Sequence, residues 1–97
     1  MQHTTIDPAL LQQAVVRGQR AKKISDDPAF CEIVKQLEQR YIAEWRASGT
    51  PENREVAWAK LNALENLILE FGAVIGSGTL ASRQLDNAAR RSGNPRI

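Results

Sequence analysis

Between Thr50 and Gly76, apolar residues fall at Ala57, Leu61, Leu64, Ile68, Phe71 and Ile75, alternately four and three apart. That spacing places all six on one stripe of an α-helix. Each large side chain on the stripe stabilises a fold by roughly 1.5–3 kcal/mol only when something covers it. The helix therefore needs a partner, from its own chain or from another copy. No alternating strand-like pattern occurs elsewhere to provide a sheet.

Candidate partners emerge from the punctuation. Asp7-Pro8, Asp27-Pro28 and Thr50-Pro51 repeat one start signal. An Asp or Thr cap precedes proline at the first helical position, where a missing N–H costs nothing. The first signal opens a helix over about 8–24, with Leu10, Leu11, Ala14, Val15, Ala21 and Ile24 on one side. Gly18 interrupts it at about 1 kcal/mol relative to alanine. The second opens a helix over about 28–47, carrying Phe30, Val34, Leu37, Tyr41 and Trp45, widened by Ile33 and Ile42. Ser48-Gly49 ends it, glycine suiting a left-handed turn. The third opens the stripe helix over about 51–75, which Gly76-Ser77-Gly78 stops.

The few residues between the second and third helices fold them back as an antiparallel hairpin. Phe30 then faces Phe71 and Ile75, and Trp45 approaches Val56 or Trp58 near the turn. The fold expectation is all-α: this hairpin with the N-terminal helix, as a three-helix bundle or an oligomeric helical assembly. Residues 1–77 form a single helical domain. Residues 78–97 form a basic tail holding a short helix over 79–91, capped by Thr79, with Leu80, Ala81, Leu85 and Ala88 on one side. Leu67 and Val74 lie off the main stripe and mark a second apolar face, which meets either the N-terminal helix or, as a protein interface, another copy. Trp45 and Trp58 either anchor such an interface or cap the core against each other. Gly72-x-x-x-Gly76 reads as a fraying helix end or a close helix contact.

Charge is segregated. Residues 26–77 hold nine acids against five bases, whereas residues 1–25 hold Arg17, Arg20, Lys22 and Lys23 against Asp7. Residues 78–97 hold Arg83, Arg90, Arg91 and Arg96 against Asp86. Basic ends suit acidic partners, the acidic middle of a neighbouring copy, or simply a solvated surface. Arg17, Arg20, Lys22 and Lys23 are the residues that would contact nucleic-acid phosphates. Neither stacking aromatics nor a helix-turn-helix pattern accompanies them.

Little points to catalysis. The single histidine, His3, has no carboxylate or cysteine beside it in sequence, and the single cysteine, Cys31, sits beside the stripe of the second helix as a small buried hydrophobe. Glu52 and Glu55 suit the positive end of a helix without further purpose. No Glu-x-x-His motif for a carboxylate-bridged metal pair is present, and the GSG at 76–78 lacks the lysine of a phosphate loop. No enzyme activity, cofactor, metal or small-molecule substrate is expected. One cysteine and no signal-peptide pattern give a cytoplasmic setting, or one inside an assembled particle. The run from Leu61 to Ile75 is short of a membrane span, so no membrane partner is expected.

Asp27-Pro28-Ala29-Phe30, Glu44-Trp45, and Ala57-Trp58 with Leu61, Leu64 and Glu65 resemble small helical proteins of unassigned role encoded among the head, packaging and neck genes of tailed bacteriophages. The resemblance spans residues 17–75 and rests on capping and core positions. It implies a virion or assembly component with protein partners, near packaged DNA. The leading expectation is a non-enzymatic structural or assembly protein, homo-oligomeric or joined to other assembly proteins. A nucleic-acid-binding or DNA-packaging accessory protein is the alternative, and an adaptor or inhibitor of a host protein a second alternative.

Overall fold

A computed structural model describes residues 7–91 as three helices, α1 (Pro8–Ser25), α2 (Pro28–Ala47) and α3 (Pro51–Arg91). There is no strand among the described residues. His3, with the rest of residues 1–6, and residues 92–97 lie outside the described part.

The three start signals act as their chemistry requires. The Asp7 carboxylate accepts from the Ala9 N–H at 2.9 Å, and Asp27 accepts from Ala29 and Phe30 at 2.8 and 3.2 Å. The Thr50 hydroxyl accepts from the Asn53 N–H at 3.2 Å. Each satisfies donors that the first turn of a helix leaves unpaired. The end of α2 differs from expectation. Ser48 closes it in an extended conformation, its hydroxyl donating to the Glu44 carbonyl at 2.7 Å and its N–H to Trp45. Gly49 is not left-handed, because serine has already answered the free carbonyls.

The largest difference is the length of α3, which runs 41 residues and does not stop at Gly76-Ser77-Gly78. Residues 79–91 are its last part rather than a separate helix, and Thr79 donates its hydroxyl to the Ile75 carbonyl inside the helix instead of capping a new one. The extension also lengthens the apolar run. By length and composition alone α3 can cross a membrane, with 11% of the relevant stretch buried, so the expectation of a run too short rested on the wrong helix end.

The described residues divide into two compact units, one of residues 23–71 and one of residues 7–22 with 72–91. In the first, the Phe30 ring tilts against Phe71 at 5.2 Å between centroids. Lys60 meets Glu44 at 3.2 Å and lies 5.9 Å from the Tyr41 ring centre. Phe30 is early in α2 and Glu44 late, while Phe71 follows Lys60 in α3, so the contacting pairs run in opposite order along the two helices. The aromatic pair stabilises by about 0.5–1.5 kcal/mol beyond its buried area. The exposed ion pair contributes about 0–1 kcal/mol. Ala57 and Leu64 are buried, Leu61 and Phe71 half-buried, and Ile68, although within the stripe, is exposed. Cys31 is exposed rather than buried. Its thiol donates to the Ser25 carbonyl at 3.1 Å, one of the acceptors left over at the end of α1.

In the second unit, α1 and the last part of α3 touch backbone to backbone. Gly18 and Gly78 are both buried, and a methyl group on either would sit 2.9 Å from the other's Cα. It would also press on a carbonyl oxygen of the opposite helix, Val74 for Gly18 and Ala14 for Gly78. Gly18 is thus the centre of the buried side of α1, flanked by half-buried Ala14 and Val15 and buried Ala21. Val74, Ile75, Gly78 and Ala81 repeat that spacing and that pattern of burial on α3. The helix cost of glycine, about 1 kcal/mol each, is offset by a packing distance no side chain permits.

Candidate functional site

Few of the described side chains are buried. Among the described residues the buried hydrophobic ones are Ala21, Ala57, Leu64 and Ala81, three of them alanine, and no large side chain is fully buried. On α3, Leu67 stands 48% exposed, Trp58 57% and Leu69 69%. Helical geometry sorts them into two flanks of the main stripe. Val56, Ala63 and Leu67 lie on one flank, and Trp58 and Leu69, three turns apart, on the other. Leu64, Ile68 and Leu69 floor a depression of about 280 Å³ rimmed by Glu38 and Glu65. Trp45 and Trp58 line a second depression of about 290 Å³ beside Pro51 at the α2–α3 turn, and both are substantially exposed.

Of the expected interface residues, Leu67, Trp45 and Trp58 thus present apolar surface within residues 23–71. Val74 belongs to the other unit and is half-buried, with its carbonyl facing Gly18. Leu69 is an exposed apolar residue that the periodicity argument passed over, because it lies off the stripe it followed; Val56, expected near the turn, and Leu80, expected on the apolar side of a separate short helix, are exposed as well.

The cations regroup. Arg17, Arg20, Lys22 and Lys23 are all exposed on α1, but Lys23 falls in the unit of α2. Lys22 is instead joined by Arg83. The two line a groove of about 290 Å³ along the glycine crossing, floored by Val15, Gly18, Ile75 and Gly78 and edged by Gln19, Thr79 and Ser82. Arg83 was legible only as part of a basic tail, since its approach to Lys22 depends on α3 continuing past Gly78.

Among the described residues no cluster of His, Cys, Asp and Glu could hold a metal ion. No protein-family model, curated protein or solved structure matches the chain.

Proposed function

We propose that this chain is a non-enzymatic assembly protein that acts by burying its uncovered apolar residues against other helices, those of further copies or of other assembly proteins. The observation that carries the reading is the exposure, among the described residues, of eleven large hydrophobic side chains beside a buried set made mostly of alanine. Contiguous exposed apolar surface is the usual mark of an interaction site, and a small helical chain often completes its core by association. In this reading α2 and the first part of α3 form an antiparallel hairpin, α1 is the third helix, and association closes the bundle. The setting is the cytoplasm or a virion, and a bacteriophage head or neck component fits the resemblance of residues 17–75.

Solution mass by light scattering, at low and at high salt, tests this. The expected result is a defined oligomer whose mass does not change with salt, because apolar burial is not screened. A monomer under both conditions overturns self-association. Flotation with neutral phosphatidylcholine vesicles, in place of oligomer formation, overturns the reading in favour of lipid cover for α3.

A further inference from the structure

Helix α3 carries opposite charge on its two parts. Residues 51–71 hold Glu52, Glu55, Glu65 and Glu70 against Arg54 and Lys60, and residues 72–91 hold Arg83, Arg90 and Arg91 against Asp86. Helical geometry sets Glu65, Leu69, Gly72, Gly76, Leu80 and Arg83 along one side of this single helix, at steps of four, three, four, four and three. All six are exposed. Leu69 and Leu80 are the large apolar side chains of this side, 69% and 56% exposed. A methyl group at either glycine would meet nothing within 4 Å. The Glu65 and Arg83 side chains make no ion pair among the described residues.

The order of these residues is self-complementary. Let a second copy of α3 run antiparallel to the first, so that Gly72 of each faces Gly76 of the other. Counting two turns outward brings Arg83 of one copy against Glu65 of the other. Leu80, one turn inside Arg83, then lies over Ile68 and Leu69 of the second copy. Those two, with Leu64, floor the depression of about 280 Å³ whose rim is Glu38 and Glu65. Asp86, one turn beyond Arg83, faces Asn62, whose amide donates to a carboxylate. Arg90 faces the exposed Trp58 ring, a cation against an aromatic face. A parallel pair sets Glu65 against Glu65 and Arg83 against Arg83 instead, and like charges across an interface are strongly disfavoured. Within one chain Leu80 cannot fill the depression, because Leu69 lies about 16 Å from it along the same helix axis.

We propose that a second copy of this chain covers this side of α3, the two helices antiparallel and crossing at Gly72 and Gly76, with Leu80 of each in the Leu64–Ile68–Leu69 depression of the other and Arg83 against Glu65. The pairing rests on the association proposed above and names its partner and its face. It is isologous, each contact occurring twice. The leucines supply the affinity and the charges the direction, since complementary charge sets register and orientation more than strength. Leu67 lies on the other flank of α3 and takes no part in the pair, which leaves that flank open to further association.

Two measurements on the full chain test this. The first is disulfide cross-linking in a Cys31→Ser background, which removes the single cysteine and keeps a hydroxyl donor for the Ser25 carbonyl. An equimolar mixture of Glu65→Cys and Arg83→Cys chains should oxidise to a covalent dimer. Neither chain alone should, because like positions lie about 27 Å apart along the paired helices, beyond the reach of a disulfide. The second is sedimentation equilibrium. Glu65→Arg and Arg83→Glu should each weaken self-association about tenfold, and the two combined in one chain should restore it. Leu80→Glu should weaken it with helix content by circular dichroism unchanged. Cross-linking of each chain with itself but not in the mixture would mean parallel helices and overturn the pairing. Association of the native chain without cross-linking in the mixture, or without rescue by the double reversal, would overturn this face and leave the association reading standing. A monomeric native chain would overturn both.

Discussion

A methyl group at Gly18 would meet the Cα of Gly78 at 2.9 Å and a carbonyl oxygen at 3.2 Å, and neither atom is the movable tip of a side chain. Relief requires the helices to separate. Gly18→Ala and Gly78→Ala should each destabilise by about 1–3 kcal/mol, as overpacking does, and lower the midpoint of the helical circular-dichroism melt. Gly72 and Gly76 give the opposite expectation. A methyl group there would meet nothing within 4 Å, so alanine should stabilise by about 0.8 kcal/mol through helix propensity alone, raising the midpoint by several degrees. If all four variants move the melt in the same direction, the crossing is not tight. Composition does not separate these four glycines. Read singly, Gly18 is a helix cost and Gly76-Ser77-Gly78 a stop. What distinguishes Gly18 and Gly78 is the shared context Ala14, Val15, Ala21 and Val74, Ile75, Ala81, which becomes meaningful only when the two segments are set side by side.

The starts of all three helices were readable, because an Asp or Thr side chain before proline acts on its own first turn and needs no distant partner. Asp27→Ala removes the acceptor for two N–H groups at the head of α2 and should cost about 1 kcal/mol, measured by urea unfolding. Ends were less readable, since the point at which a helix stops depends on the elements packed against it. Ser48 substituted for the expected glycine turn by bonding back to Glu44. The continuation of α3 to Arg91 depends on α1, whose backbone rewards glycine where intrinsic propensity penalises it. Element length in turn moved two other readings, the fate of Thr79 and the reach of the apolar run.

At the scale of the molecule, the stripe from Ala57 to Phe71 was visible in the sequence, and so was the pairing of Phe30 with Phe71. The extent of uncovered surface was not, because periodicity states which side chains share a face and never how much of that face is covered. Leu67 is the sharpest probe. It is 48% exposed, so Leu67→Glu should leave helix content intact while lowering the light-scattering mass. An unchanged mass would remove this flank of α3 from the interface. The distribution of charge was also only half visible, since segregation along a chain does not say which ends meet. The glycine crossing that brings them together has a consequence for how such chains diverge. Its geometry admits substitution at neither position unless the opposite helix yields too, while the lightly covered apolar residues elsewhere are free to exchange among themselves. Descendants of this fold would be marked less by a profile of hydrophobic positions than by two distant glycines inherited together.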